Sequence, residues 1–305
     1  MKMLVTGGAG FIGSHLVDRL VKEGHRVAVI DNLSTGQKKF INPRAKFYKL
    51  DLAKANLKGV FAKEKPEVVF HLASQKSVPF SLAHPLEDAT NNIWGSLKLL
   101  ENCLKFKVKK FIFTSTGGAI YGPAKEIPSK ETTLERPLSP YGLSKLTVDN
   151  YLKNFYQAVK KLNGVSLRLS NVYGPRQDPQ GEAGVIAIFI NNLIKNKPCY
   201  IDGSGLQTRD FIYVEDVVGA CLKAIKNGSG IYNVGTGKET SVKYLYHLIA
   251  GLISEKKPLF REPRQGDVFR SVLKIAKAKK ELKWQPKIDL LRGLKLTVDY
   301  FKKRL

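Results

Sequence analysis

A tyrosine and a lysine four residues apart stand just after Pro140, in the run Tyr141-Gly142-Leu143-Ser144-Lys145. That spacing puts both side chains on one face of a helix. A lysine ammonium beside a phenol favours the phenolate and draws a tyrosine pKa from about 10 toward neutrality, and an oxidised nicotinamide nearby would act in the same direction. A phenol so tuned can take the proton of an alcohol while hydride leaves the alcohol carbon. An ordinary amphipathic helix displays the same pair, so the spacing alone does not decide. A third element narrows the choice. Phe111-Ile112-Phe113-Thr114-Ser115-Thr116-Gly117-Gly118 carries an apolar strand into hydroxyls and then into glycine. Ligands of parallel α/β sheets lie outside the carboxyl ends of the strands. Ser115 and Thr116 therefore stand where a substrate would lie, and a hydroxyl there can relay a proton between substrate oxygen and tyrosine. A turn-capping role fits Ser115 better than Thr116.

Such chemistry needs a hydride carrier, and the amino-terminal residues provide for one. Leu4-Val5-Thr6-Gly7-Gly8-Ala9-Gly10-Phe11-Ile12-Gly13 passes from a short apolar strand through glycines into a helix whose apolar period includes Phe11, Ile12, Leu16, Val17, Leu20 and Val21. Glycine lets the backbone approach a pyrophosphate, and the helix N–H groups point at the anion. Asp31 closes a second apolar run, Arg26 to Ile30. A carboxylate there accepts from an adenosine ribose diol and repels a 2'-phosphate, which favours NAD over NADP. Asp51, after a third strand, can reach an adenine edge or cap a helix N-terminus.

These groups are positioned by alternating strand and helix signals over the first 170 residues. Strands are expected at 2–6, 26–31, 46–50, 67–71, 109–114 and 164–169, and helices near 11–23, 54–64, 86–106 and 141–161. The expected fold class is α/β: a Rossmann-type doubly wound parallel sheet with a smaller carboxy-terminal substrate-binding domain. The expected division is 1–170 for NAD and 171–305 mainly for substrate, with some later segments returning to the first domain. Pro175, Pro179, Gly181 and Gly184 mark irregular chain before an amphipathic helix at about 185–196.

Composition bounds the rest. The 305 residues suffice for one large or two modest domains, and 43% hydrophobic content is ordinary for a globular protein. Cys103, Cys199 and Cys221 have no paired spacing, which argues for a reducing compartment and against a zinc or disulfide framework. The five histidines lack ligand spacing, so no metal is expected, and His71 reads as a satisfied strand-end residue. No apolar stretch reaches membrane-spanning length and the first strand begins at once, so the expected location is cytoplasmic. The net charge of +25 comes from 51 basic and 26 acidic residues, with the basic residues dispersed as pairs such as Lys109-Lys110 and Lys256-Lys257. That dispersion argues against specific nucleic-acid binding, while the field would draw doubly anionic substrates.

With these motifs in place, the chain from Met3 to Trp284 resembles the extended short-chain dehydrogenase/reductases. Within them it is similar to the NAD-dependent nucleotide-sugar epimerases and dehydratases, and above all to the UDP-glucose 4-epimerases. The resemblance implies that Gly7, Gly10, Phe11, Ile12 and Gly13 form the dinucleotide loop and that Asp31 and Asn32 hold the adenosine ribose. It implies that Asp51 and Leu52 flank adenine, that Leu72, Ala73, Ser74 and Lys76 line the nicotinamide side, and that Asn92 lies beyond them. Thr116, Tyr141 and Lys145 fall on the catalytic triad. Asn171 falls where an asparagine meets the diphosphate; Gly184, Val185, Tyr200 and Asp202 fall on uridine-pocket segments. Arg209, Arg264 and Asp267 fall on segments where arginine clamps phosphate and aspartate meets ribose; Arg209 could equally be a structural ion pair. Ser271 falls on the position that gates an N-acetyl group. Related dehydratases carry an Asp-Glu pair after the catalytic threonine, where this chain has Gly117-Gly118; glycine supplies no proton, which disfavours dehydration. The implied reaction is 4-epimerisation of a UDP-hexose with retained NAD, on UDP-glucose and UDP-galactose or also the N-acetylated pair; the alternatives are a UDP-glucuronate 4-epimerase, another nucleotide-sugar dehydratase or reductase, and a non-catalytic NAD-binding scaffold or nucleic-acid binder. The resemblance also implies a homodimer formed by helices 86–106 and 141–161. Leu97, Leu99, Leu100, Leu104, Tyr151, Leu152 and Phe155 could supply that interface or belong to the core.

Overall fold

The computed structural model describes residues 1–180, 184–263 and 268–304. Its strands are β1 (Lys2–Thr6), β2 (Arg26–Asp31), β3 (Lys46–Lys49), β4 (Val68–His71), β5 (Lys110–Thr116), β6 (Gly164–Leu169), β7 (Asn171–Tyr173), β8 (Tyr200–Asp202), β9 (Thr208–Arg209), β10 (Phe211–Tyr213), β11 (Gly230–Val234), β12 (Thr240–Ser241), β13 (Leu259–Arg261) and β14 (Arg270–Ser271). Seven of them make one all-parallel sheet in the order β11-β6-β5-β4-β1-β2-β3. Successive side chains of a strand point to opposite faces, and β1 obeys this. Met3 and Val5 enter a core with helix Phe11–Lys22 and helix Val214–Lys226; Leu4 enters another with Phe61, Leu99, Leu100 and Leu152. Buried on both faces, the strands read as continuous apolar runs. The chain order reverses between β1 and β4, so a crevice opens beyond the carboxyl ends of those two strands.

A third core joins helices Val185–Ile194, Val242–Ile253 and Leu290–Lys302 with Tyr173, Ile201, Phe211 and Tyr213. Three small sheets, β10-β7, β12-β9-β14 and β13-β8, accompany it. Strand β11 comes from this later half of the chain yet completes the edge of the large sheet, paired with β6.

Several expected boundaries move for local reasons. The helix expected over 54–64 begins at Lys58, because Asp51 organises a turn first: its carboxylate accepts from Ala53 N at 2.9 Å and its carbonyl from Ala55 N at 2.8 Å. The helix expected over 86–106 is a helix at Pro85–Ala89, a widened π-helical stretch at Thr90–Trp94 and a helix at Gly95–Lys105. Strand β5 continues to Thr116. The catalytic-candidate helix starts at Pro140, where Ser139 accepts a side-chain cap bond from Gly142 N at 3.1 Å, and it widens over Tyr151–Gln157. Of the seven residues offered to either core or interface, Leu99, Leu100 and Leu152 are core, while Tyr151 and Phe155 are exposed beside exposed Trp94 and Leu143.

Candidate active site

The glycine loop between β1 and the first helix is shaped by contacts that only hydrogen allows. A Cβ on Gly13 would stand 2.1 Å from Gly7 O, and one on Gly7, whose φ is +72°, would stand 2.7 Å from Ala73 N. The loop is thereby pressed against the segment leaving β4, Leu72-Ala73. The helix that follows has Gly10 as its N-cap residue, no side-chain cap and no acidic residue in its first turn. The N–H groups of Phe11, Ile12 and Gly13 therefore face the crevice with the positive end of the helix dipole behind them, ready for a diphosphate.

Asp31, buried at the end of β2, accepts from Ala9 N at 3.0 Å and Leu33 N at 2.8 Å. Two carboxylate oxygens hold about four acceptor sites, so capacity for a diol remains. Asn32 donates to Asp51 at 3.1 Å, which fixes the two residues expected around the adenosine side by side, with Leu52 buried next to them.

At the end of β4, His71 is buried. Its Nδ1 meets Thr6 Oγ1 at 2.8 Å and its Nε2 meets Ser96 Oγ at 2.7 Å. Burial, helped by the charge of Lys145, pushes its pKa down to about 3, so it is a neutral structural residue. The loop beyond it is held from behind. Asn92 accepts from Gln75 N at 2.8 Å and donates to Gln75 O at 2.9 Å, so it holds the loop that follows β4 in place. Ser74 is half-buried and Lys76 exposed on that loop.

Thr116 ends β5, and the helix beginning at Pro140 brings Tyr141 and Lys145 to it. Lys145 is buried; its Nζ donates to Thr114 O at 3.1 Å and lies 4.7 Å from the Phe113 ring centroid and 6.0 Å from that of Tyr141. Burial lowers the Lys145 pKa to about 8 against the raising charges of Asp149 and Asp88. The Tyr141 phenol departs from expectation. Burial, reinforced by the Asp88 carboxylate, pushes it up to about 12, and only the hydrogen bond with Thr116 lowers it. In the protein alone, burial and the Asp88 charge thus move this phenol away from neutrality.

Ser115 corrects a second expectation. Its hydroxyl donates to Asp149 at 3.1 Å, inside a buried cluster in which Asp149 also receives Ser166 Oγ at 2.5 Å and Arg168 Nε at 2.8 Å. Alternation along β5 sends Thr116 to the crevice and Ser115 into this frame, so Ser115 is not available to a proton relay or to a cofactor through its side chain.

The later half of the chain closes the crevice. Asn171 begins β7, and above Gly118 its Oδ1 and Thr116 Oγ1 share one small space: a Cβ on Gly118 would lie 3.7 Å from the first and 3.9 Å from the second. Arg209 and Ser271 are paired across β9 and β14, and Asp210 between them is buried, fixed by Thr236 N at 2.8 Å, Thr236 Oγ1 at 2.6 Å and Gly237 N at 3.1 Å. Gly184 and Val185 start the helix Val185–Ile194. On β8, Asp202 pairs with Arg261, whose guanidinium also lies 5.7 Å from the Tyr200 ring centroid. Arg264 and Asp267 lie outside the described residues. Among the described residues no group of three or more His, Cys, Asp or Glu could hold a metal.

Two features of the site escaped the sequence reading. Asp88 is fully buried against the helix that carries Tyr141 and Lys145, and the i, i+4, i+8 polar stripe Asp88-Asn92-Ser96 was the signal for it. The Asp149–Arg168 pair had no comparable signal, because its partners come from separate elements.

Residues 3–235 match the model of the NAD dependent epimerase/dehydratase family. The chain belongs to that family. It is 42% identical to a UDP-glucose 4-epimerase of Mycolicibacterium smegmatis, over 100% of this chain and 99% of that one. Its fold is similar to the crystal structure of a Thermotoga maritima UDP-glucose 4-epimerase with UDP-glucose (TM-score 0.98, 47% identity, 100% and 99% of the two chains). It is also similar to a UDP-N-acetylglucosamine 4-epimerase of Methanobrevibacter ruminantium in complex with UDP-N-acetylmuramic acid (TM-score 0.94, 36% identity, 100% and 99%). The cofactor of this epimerase/dehydratase family member is NAD, and the residues fit it. The uncapped helix start offers its N–H groups to a diphosphate, the close turn of Gly7 on Gly13 lets backbone alone line that approach, and Asp31 offers a buried acceptor at the end of β2.

Proposed function

We propose that this chain interconverts UDP-hexoses by 4-epimerisation, with Tyr141 as the acid and base. The observation that carries this reading is the meeting of Thr116, Tyr141 and Lys145 beside the dinucleotide cradle, with Gly117-Gly118 and no carboxylate following the threonine. A dehydratase needs an acid and a base on that side of the sugar. Here Leu273 covers Gly117, since a Cβ on Gly117 would stand 2.6 Å from Leu273 Cδ1.

The glycine loop at Gly7 to Gly13 and Asp31 would hold NAD, which when bound would supply hydride-transfer chemistry at the sugar C4 and a positive charge near the Tyr141 phenol. Tyr141 Oη takes the proton of the sugar 4-hydroxyl and returns it to the opposite face, with Thr116 Oγ1 in the hydrogen-bond path. Lys145, anchored on Thr114 O, holds a cation under the phenol. Asn171, Arg209 and the Tyr200–Asp202 segment hold the UDP, so the 4-keto sugar can turn about its diphosphate linkage without leaving. This remote binding energy retains the intermediate. Arg264 and Asp267 join this set by resemblance.

Ser271, on the strand paired with Arg209, is a small side chain that would leave room for a 2-acetamido group, which supports turnover of the UDP-GlcNAc/GalNAc pair beside UDP-Glc/Gal. The exposed Trp94, Leu143, Tyr151 and Phe155 on the two adjacent helices support a homodimer through that face. Three buried free thiols support a reducing, cytoplasmic setting. Among the described residues no helix is long and apolar enough to cross a membrane.

The test is Tyr141→Phe. The variant keeps its bound NAD and loses nearly all turnover; wild-type-like turnover would sink the assignment of the acid and base.

A further inference from the structure

Asp88 is a fully buried carboxylate that no part of the reaction above uses. It sits on helix Pro85–Ala89, which packs against helix Pro140–Asn150. Ser144, between Tyr141 and Lys145 in register, donates to its Oδ2 at 2.6 Å. Gln75 Nε2 and Asn92 Nδ2 each donate to its Oδ1 at 2.9 Å. All three donors are neutral, so no ion pair within hydrogen-bond distance cancels its charge. A buried charge is costly to retain unless it is well hydrogen-bonded, and a neutral residue would serve equally to join these three partners.

We propose that Asp88 is a positioning residue of this same site: it ties the catalytic helix to the loop carrying Ser74 and Lys76, and it sets a fixed negative charge beside the Tyr141–Lys145 pair. The inference rests on the reading of Tyr141 as acid and base. An epimerase must return the proton it takes, and an acid–base group works best when neither state is strongly favoured. The ammonium of Lys145 and an oxidised nicotinamide both favour phenolate. Asp88 opposes the Lys145 charge, which acts in both steps, and favours the protonated phenol needed in the return step, where a reduced nicotinamide carries no charge; its charge raises the Tyr141 pKa.

Other charged groups near the pair are few. The helix itself brings Lys145 and Asp149, and Asp149 is matched by Arg168 at 2.8 Å. Strand β4 brings neutral His71, and β5 brings only Lys110, at its far end. Helix Pro85–Ala89 adds Glu87, which is exposed, and the exposed His84 precedes it. Helix Val78–Ala83, the stretch Thr90–Trp94 and helix Gly117–Ile120 carry no ionisable side chain.

Asp88→Asn tests this. An amide there can keep all three partners, since Ser144 can turn its hydroxyl to accept, while the charge is removed. The phenolate of Tyr141 is titrated by ultraviolet absorbance in the NAD-loaded protein, with the matching Tyr141→Phe form subtracted from each. Removing a negative charge favours phenolate, so the titration shifts to lower pH, by about one unit for a close like charge, while bound NAD is retained. Asp88→Ser is a second neutral variant with the same expected shift. Coincident titrations overturn the proposal. So does failure of both neutral variants to fold, which would assign Asp88 to structure alone. Absence of UDP-sugar interconversion by the wild type would instead refute the function above and leave the titration readable.

Discussion

Gly117 and Gly118 look interchangeable in sequence, yet the packing around them predicts opposite responses to one methyl group. A Cβ at Gly117 would lie 2.6 and 2.7 Å from the two terminal carbons of Leu273, about 1 Å inside ordinary carbon contact. Leu273 cannot retreat freely: it is 1% exposed and packs against Ile120 and Tyr121. Overpacking of this kind costs roughly 1–3 kcal/mol. At Gly118 the added Cβ meets only ordinary contacts, and replacing a helical glycine returns about 0.5–1 kcal/mol. Both glycines lie in helix Gly117–Ile120 and share that gain, so Gly117→Ala is expected to be roughly 1–3 kcal/mol less stable than Gly118→Ala. Activity runs the other way. Gly118→Ala places a methyl beside Thr116 Oγ1 and Asn171 Oδ1, so its turnover falls while its stability does not. Urea unfolding of both variants, with Leu273→Ala and the Gly117→Ala/Leu273→Ala double variant, completes the test. Leu273→Ala alone costs about 2–5 kcal/mol as a cavity. The double variant should cost less than the sum by about 1–2 kcal/mol, because the new methyl enters the vacated space. Equal stability of the two alanine variants, or strict additivity with Leu273→Ala, would refute the packing argument and with it the steric reason why no acid can occupy position 117.

Two further predictions follow from the same geometry. Gly13→Ala drives a methyl into Gly7 O, so the loop must move; NAD affinity should fall at least about tenfold, about 1.4 kcal/mol, read by cofactor retention after gel filtration. His71 is neutral in the folded protein, with a pKa depressed to about 3 from the ordinary 6.5. The unfolded chain binds the extra proton first, so the stability this residue confers is present above pH 6.5 and is lost as pH falls toward 3. The slope is about 1.4 kcal/mol per pH unit. The advantage of wild type over His71→Asn should shrink by about 3 kcal/mol between pH 6.5 and 4; parallel stability profiles would contradict it.

Much of this was legible before the structure. The six expected strands and the glycine turn rest on apolar runs that a parallel sheet buries on both faces, and Tyr141 and Lys145 do share a helical face. Strand β11 was not legible, since its five residues between Gly228 and the glycine turn at Gly235 have no partner in their own sequence neighbourhood. The Tyr141 pKa was not legible either. Spacing reveals Lys145, but the burial that outweighs it, and the Asp88 charge that reinforces burial, arise only when helix Pro85–Ala89 packs on the catalytic helix. The surplus of lysine has a partial structural account. Lys98 donates to Ala53 O and Ala55 O, Lys110 to Gly228 O, Lys277 to Ile231 O and Lys302 to Leu252 O, so several ammonium groups meet main-chain carbonyls instead of carboxylates. A charge count cannot foresee such partners.

Incubation of the purified protein with a panel of UDP-sugars, without added NAD and with products resolved by chromatography, tests the central claim most directly. Each C4 epimer pair that the site accepts should reach the same ratio from either side, with no loss of water and no net NADH. A dehydrated product, accumulation of NADH, or unchanged sugars across the whole panel would contradict the account.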